Sequence, residues 1–312
     1  MMFTLEQVVE ATGGRLIAGS ARQRVAGVST DTRGIKPHEL FVAIRGEHFD
    51  GHRFLVQAVR QGAGAVLVSS SGVKIPAGAG AVLVDDTVRA LGRLARYHRL
   101  RFDIPVIAVT GSAGKTSTKE LIAAVMAQKY RVLFNKGTEN NHIGVPMTLL
   151  KLTRRHQAAV IEMGTNHPGE IAWLAQNTLP TAAVFTNVGA SHLEGLGTPR
   201  GVYAEKRSLL QWISRDGHVV VNADDPFWAR LLKQCLPQKV VSYGTRPTAD
   251  LKAVGLAADA RGVSFRTGNG KLVRVQSPSL GAVHNALAAL ACARIFRVPE
   301  GRARAAIGRA RP

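Results

Sequence analysis

The hydrophobic positions of this chain fall into two textures. Up to about residue 100, short apolar runs alternate with glycine-rich turns. The runs 39–44 (ELFVAI), 64–68 (GAVLV) and 81–86 (AVLVDD) predict strands, and 52–62 (HRFLVQAVRQG) predicts a helix closed by Gly62. The spacing of Val88, Leu91, Leu94 and Ala95 predicts a linking helix over 87–102. From residue 104 the runs lose their alternation. The stretches 104–111 (IPVIAVTG), 157–164 (QAAVIEMG), 182–189 (AAVFTNVG) and 217–225 (GHVVVNADD) read as strands covered on both faces. Helical stretches separate them ("GEIAWLAQN", "YAEKRSLLQWI"), which implies a mostly parallel sheet with helices on both sides. Farther on, 240–244, 262–268 and 271–278 predict strands and 285–296 predicts an alanine-rich helix. The expected fold class is therefore α/β: a small domain over 1–100, then a P-loop-type, mostly parallel-sheet domain over 101–312.

Composition adds little to this picture except through charge. With 46% hydrophobic and 20% charged residues the chain reads as folded, and no run of about 18 apolar residues suggests a membrane span. Its start lacks a basic leader with an apolar core, so no secretory signal is expected. The only cysteines, Cys235 and Cys292, lack metal-ligand spacing and read as reduced thiols of a cytoplasmic protein. The net charge of +20 raises nucleic-acid binding. Scattered basic residues and only 5% aromatics argue against it and fit a polyanionic small substrate instead. The densest basic run, "GRARAAIGRARP", reads as an exposed tail or the start of a linker.

Chemistry enters at 109–120, "VTGSAGKTSTKE". A strand that ends in glycine, turns tightly and opens a helix aims several backbone N–H groups and the positive helix end at one point. Gly111, Ser112, Ala113, Gly114, Lys115, Thr116 and Ser117 thus form a candidate nucleotide phosphate loop, two residues shorter between its glycines than the common one. Lys115 would neutralise the β- and γ-phosphates and the Thr116 hydroxyl would hold Mg2+. Glu162 ends an apolar strand, an expensive place for a lone charge; a salt bridge or helix cap would also account for it. His192 follows a strand end and by itself could be a surface histidine. Lys206 lies in a helix where lysine is ordinarily solvent-facing. Asn140 and Asn141, between Gly137 and Gly144, could equally make a turn. In the first domain Ser29, Asp31, Thr32 and Arg33 combine hydroxyl, carboxylate and guanidinium groups that could bind a polar ligand or form an Asx-type turn. In "HFDGHRF" (48–54) Asp50 and Gly51 shape a loop around His52. "NADDP" (222–226) reads as a turn set by Asp225–Pro226, outside the site.

Together "TGSAGKTSTKE", "NKGTENNHIGVPMTLL", "IEMGTNHPGEIAWL" and "TNVGASHLEGLGT" resemble the Mur ligases, ATP-dependent amide-forming enzymes of peptidoglycan precursor synthesis. Their order matches over nearly the whole chain. The last two stretches, "IEMGTNHPGEIAWL" and "TNVGASHLEGLGT", resemble the branch that adds D-alanyl-D-alanine to UDP-N-acetylmuramoyl-tripeptide. The resemblance implies that Glu162 binds one Mg2+, that His192 binds a second, and that Lys206 is carbamylated and helps hold it. It implies that Asn140 and Asn141 lie by the transferring phosphate, and that Ser29, Asp31, Thr32, Arg33 and Asp50 belong to the UDP-substrate domain. Asn285 matches an asparagine near adenine, but "GAVHNALAA" is two residues shorter than the family's stretch, and its earlier His–Asn pair has no counterpart. Thr138 and Ser208 stand where asparagine and glutamate are frequent. Family members continue beyond the position matching Pro312 into a Rossmann-like domain that closes over ATP. The expectation is a ligase lacking that domain and impaired alone, with a non-catalytic nucleotide-sugar and ATP-binding remnant as the alternative.

Overall fold

The computed structural model describes residues 2–46, 49–279 and 281–310. His48 of the 48–54 stretch and the last two residues of the basic C-terminal run lie outside them. The chain forms two compact units: Met1–Phe102 with His142–Lys151, and Asp103–Asn141 with Leu152–Pro312.

The first unit carries a five-stranded sheet in the order Arg15–Ala18, Gly80–Leu83, Ala65–Val68, Leu40–Val42, Val28–Ser29. Arg15–Ala18 is antiparallel to its neighbour, and the other pairs are parallel. Phe41, Val66 and Val68 meet Leu55 and Ala58 in its core. The helix expected over 52–62 is α-helical only over Leu55–Arg60. Before it the Asp50 carboxylate accepts from the His52 backbone N–H and tightens Gly51–Phe54 into a 3-10 turn. The Thr87–Arg99 helix starts where the Asp86 side chain accepts from Val88 and Arg89 N–H at 2.8 Å each. It buries Ala90, Leu91, Leu94 and Ala95. The short helix Gly144–Leu149 packs against it, with Val145, Pro146 and Leu149 inside.

The second unit is built on a nine-stranded sheet. Its order is Leu272–Val275, Gly262–Thr267, Leu251–Asp259, Lys239–Gly244, His218–Asn222, Ala182–Phe185, Val106–Thr110, Ala158–Glu162, Val132–Phe134. Pairing is parallel from Val132–Phe134 through to Leu251–Asp259, and only the last two pairs are antiparallel. The strand that comes first in this unit, Val106–Thr110, sits inside the sheet, with later strands added on either side of it. A sheet wound both ways from one strand opens a crevice at that strand's carboxyl end, where ligands bind. Ile107, Val109, Val160 and Val184 form one core with Leu121, Ile122 and Val125 of the Lys115–Met126 helix and with the helix Gly281–Ile295.

The basic C-terminal stretch is not an exposed tail. Glu300–Arg309 is a helix that buries Ala303, Ala306 and Ile307 against the Lys115–Met126 helix and the strand Leu272–Val275. Small and apolar residues at helical spacing between the arginines supply the inner face, while the charges stay outward. Among the described residues no helix is long and apolar enough to cross a membrane.

Candidate nucleotide and metal site

The loop Gly111–Gly114 leaves the strand Val106–Thr110 at the crevice and opens the helix Lys115–Met126. Gly114 (φ 75°) caps this helix without any side-chain hydrogen bond, so the first-turn amides have no side-chain cap and point their dipole into the crevice. The loop is pinned from the segment after the strand Ala182–Phe185. Asn187 accepts from Ser112 N–H through its backbone carbonyl (2.9 Å) and from Ala113 N–H through Oδ1 (2.8 Å). Thr186 Oγ1 donates to the Ala113 carbonyl at 2.7 Å, and Ser191 Oγ donates to Ser112 Oγ at 2.9 Å. A Cβ on Gly111 would sit 1.8 Å from Thr186 Oγ1, so glycine is required there by close approach. Lys115 folds back to donate to the Gly111 and Ser112 carbonyls at 2.8 and 3.2 Å. Burial lowers its pKa and the Glu162 charge opposes that shift.

Glu162 is 1% exposed. Its Oε1 accepts from Asn140 Nδ2 at 2.7 Å and from Thr116 Oγ1 at 3.2 Å. Among the described residues its Oε2 meets no hydrogen-bond donor, and it lies 3.8 Å from the fully buried Lys119 ammonium. A buried carboxylate oxygen left without a donor, beside a hydroxyl and a phosphate-type loop, is the donor set a hard divalent cation takes. Phosphate oxygens and water complete such a shell, so no dense protein cluster is needed. Among the described residues no group of three or more His, Cys, Asp or Glu side chains is positioned to hold a metal.

Sequence reasoning passed over two residues that hold this carboxylate in place. Asn135, fully buried, accepts from Glu162 N–H (2.9 Å) and donates to the Glu162 carbonyl (3.1 Å), clamping the strand end. Lys119 reads as a surface lysine but donates to the Asn135 and Gly137 carbonyls at 2.8 and 3.1 Å. Asn140 joins Glu162 as described, while Asn141 is exposed.

Lys206 is 1% exposed, and its pKa falls to about 8, first through burial and then through Lys115, with Glu205 opposing. Glu205 is itself engaged, accepting from Gly169 and Ile171 N–H at 2.7 Å each, at the start of the helix Glu170–Thr178. His192 is exposed and holds a left-handed conformation (φ 55°). Partial loss of water and then the Lys206 and Lys115 charges lower its pKa, against Glu170. Lys115, Lys206 and His192 therefore share one electrostatic field. Ser117 and Asn285 line a cavity of about 580 Å3 with Ala113 and Gly114, and Thr118 Oγ1 donates to Asn285 Oδ1 at 3.0 Å. Asp224, set aside as part of a turn, lines the same cavity, while its neighbour Asp225 also caps the helix Pro226–Leu231.

In the first unit the expected substrate residues are locally satisfied. Asp31 accepts from Arg33 N–H (2.9 Å) and its guanidinium (2.7–3.1 Å), which holds the Asp31 carboxyl at about 2. Ser29 Oγ donates to the Asp31 carbonyl, Thr32 is buried, and Arg33 remains exposed. His52 Nε2 accepts from Ser69 N–H at 3.0 Å, so its Nδ1 carries the proton facing Asp50 Oδ1 at 2.6 Å. Asp50 thus orders its own loop.

Two family patterns match the chain: "Mur ligase family, catalytic domain" over residues 24–99 and "Mur ligase middle domain" over 109–293. The UDP-N-acetylmuramoyl-tripeptide--D-alanyl-D-alanine ligase of Bacillus subtilis (strain 168) is 37% identical over 309 residues, 98% of this chain and 66% of the relative. The enzyme of that name from Escherichia coli (strain K12) is 39% identical over 293 residues, 92% of this chain and 64% of the relative. The chain therefore spans slightly less than two thirds of these relatives' own length. Among solved structures, MurF from Acinetobacter baumannii superposes with a TM-score of 0.92 at 31% identity, covering 99% of this chain and 68% of that one. MurF ligase from Thermotoga maritima in complex with ADP gives 0.81 at 26% identity, covering 92% and 66%.

Proposed function

The chain belongs to the Mur ligase family, and on that premise we propose that it carries the UDP-substrate and ATP-binding parts of a ligase joining D-alanyl-D-alanine to UDP-N-acetylmuramoyl-tripeptide. In this reading residues 1–100 form the UDP-substrate domain, residues 101–312 form the ATPase domain, and the protein works in the cytoplasm. The observation that carries it is Glu162, whose buried Oε2 lacks a hydrogen-bond donor beside the Thr116 hydroxyl at a pinned phosphate loop.

The proposed reaction begins with the terminal carboxylate of the tripeptide attacking the γ-phosphorus of ATP. ADP leaves and an acyl phosphate forms. The amine of D-alanyl-D-alanine then attacks the acyl carbon, loses a proton, and inorganic phosphate departs with both C–O electrons. Two anions meet in the first step, so cationic charge at the loop dominates the barrier. Lys115 leaves the loop carbonyls for the β- and γ-phosphates, and the uncapped amides at the start of its helix receive their oxygens. Mg2+ held by Glu162 and the Thr116 hydroxyl would shield the phosphate oxygens from the incoming carboxylate. Asn140 keeps Oε1 of Glu162 aligned, and in this reading Asn140 and Asn141 would offer amide donors to the transferring group. Asp31, Arg33, Ser29, Thr32 and Asp50 shape the UDP-binding loops, with Arg33 the exposed cation for diphosphate.

Lys206 has a further role in this reading. A buried lysine with a pKa of about 8 keeps about a tenth of its amine neutral at pH 7, far more than an ordinary lysine, and a neutral amine adds to CO2, releasing one proton and leaving a carbamate. That converts a cation facing Lys115 into an anion, and with His192 it completes a place for a second Mg2+. The test mixes ATP, Mg2+, UDP-muramoyl-tripeptide and D-alanyl-D-alanine with the chain, alone and fused to the family's third domain, and seeks the pentapeptide by mass spectrometry. Product is expected from the fusion, rising with added bicarbonate and lost in Lys206→Arg. No product from the fusion at any bicarbonate concentration would sink the reading.

A further inference from the structure

The front half of the phosphate loop is engaged by the protein itself. Ser112 N–H donates to the Asn187 carbonyl at 2.9 Å, and Ala113 N–H donates to Asn187 Oδ1 at 2.8 Å. The Ser112 hydroxyl accepts from Gly189 N–H and from the Ser191 hydroxyl at 2.9 Å each, and it donates to the Gly189 carbonyl at 3.3 Å. Resting on the nucleotide-binding reading above, we propose that the Ser112 side chain binds no phosphate and instead, through Ser191, holds His192 at the phosphate end of the site.

A hydroxyl has one proton to donate and two lone pairs to accept with, and at Ser112 all three are engaged. The amides of Ser112 and Ala113 are engaged as well, which leaves phosphate oxygens the uncapped amides that open the helix from Gly114 on. The residue after Ser191 is His192, whose left-handed backbone (φ 55°) persists in a side chain with a Cβ only where the surroundings impose it. Here they act from both ends. On one side Ser191 is tied to the Ser112 hydroxyl, and its N–H donates to the Gly189 carbonyl at 2.8 Å. On the other side the His192 carbonyl accepts from Gly195 and Leu196 N–H at 3.2 and 2.9 Å. A Cβ on Gly195 would sit 2.0 Å from the Asn166 carbonyl oxygen, so this turn lies hard against the segment that follows Glu162. His192 is thus strung between the phosphate loop and the strand end that carries Glu162, with its ring in reach of the Lys206, Lys115 and Glu170 charges. Breaking the Ser112–Ser191 bond frees one end, and residue 192 relaxes out of the left-handed region and takes its ring off the site. Ser112 and Ser191 are positioning residues in this account, and His192 is the group they present.

The experiment compares the wild-type chain with Ser191→Ala, Ser191→Thr and Ser112→Ala. Calorimetry gives the Mg-ATP affinity, 15N–1H spectra of the histidine rings follow His192, and the fusion to the third domain gives kcat and KM. In the wild-type chain Mg-ATP is expected to shift the His192 ring signals. Ser191→Ala is expected to keep Mg-ATP affinity within about threefold, to lose that ring response, and to lower kcat by roughly ten- to a hundredfold at unchanged KM for ATP. Ser191→Thr, which keeps the hydroxyl, is expected to restore most of both. Ser112→Ala is expected to match Ser191→Ala, and the double variant to lower kcat no further than either alone. Should Ser112→Ala fail to fold, Ser191→Ala, at a half-exposed position, decides the question. Mg-ATP affinity that falls by about tenfold or more in Ser112→Ala would put that hydroxyl on a phosphate and overturn the proposal. A His192 response that survives Ser191→Ala, or is absent from the wild-type chain, overturns it too, and both results leave nucleotide binding standing. These two readouts use the chain alone, so they decide even where the fusion makes no product. Failure of Mg-ATP to bind the wild-type chain overturns the nucleotide reading and this inference with it.

Discussion

Lys115→Ala is expected to weaken Mg-ATP binding by roughly 30- to 100-fold and to lower ligation by about a thousandfold, with the fold intact. Among the described residues the ammonium makes two hydrogen bonds, both to carbonyls of its own loop, so little of the fold depends on it. Burial also lowers its pKa, so removing it relieves a desolvation cost. Its value appears only when phosphate oxygens replace the loop carbonyls, and most of it when charge moves onto the γ-phosphate. Calorimetry for binding and a coupled ADP assay on the fusion separate the two effects. Binding within threefold of wild type would remove Lys115 from the phosphate site.

The second large effect is expected at Glu162. Glu162→Gln keeps the shape and retains an acceptor for Asn140, but removes the charge that a divalent cation needs. We expect apparent Mg2+ affinity in the presence of ATP to fall by at least about a hundredfold, and ligation to become undetectable at ordinary Mg2+. Stability should change little. Lys119 keeps Glu120 at 3.0 Å and two carbonyls, and Asn135 holds the backbone of residue 162 whatever its side chain. A thermal melt gives the stability and a Mg2+ titration gives the affinity. Ligation that retains its Mg2+ dependence in this variant would mean that the metal sits elsewhere.

Much of the parallel sheet was legible because its strands are buried on both faces and read as unbroken apolar runs, as at Val106–Thr110 and Ala182–Phe185. The strand Leu251–Asp259 was not: six of its nine residues are exposed, so neither a run nor an alternation marks it. The helix Glu300–Arg309 was missed because its buried stripe is mostly alanine, and the arginines between dominate the composition. At the site, the phosphate loop was visible as a strand–glycine–helix pattern. The supports around it were not. Asn135 acts through the backbone of Glu162, and Lys119 differs from a surface lysine only in its burial. Asp224 and His284 are 60 residues apart in sequence and meet through the fold alone. The left-handed backbone of His192 likewise leaves no mark in sequence. In the UDP-type loop, Ser29, Asp31 and Arg33 had two readings from sequence. The geometry displays the Asx turn, and the substrate contact remains a proposal.

The measurement that tests the account most directly is a crystal structure of the chain with Mn2+ and a non-hydrolysable ATP analogue, the metal located by its anomalous scattering. The account predicts phosphates on the amides of Gly114–Thr116, a metal peak bound by Glu162 and the Thr116 hydroxyl, and the base in the adjoining cavity that Asn285 lines. A nucleotide bound away from this loop, or a metal bound without Glu162, would contradict it.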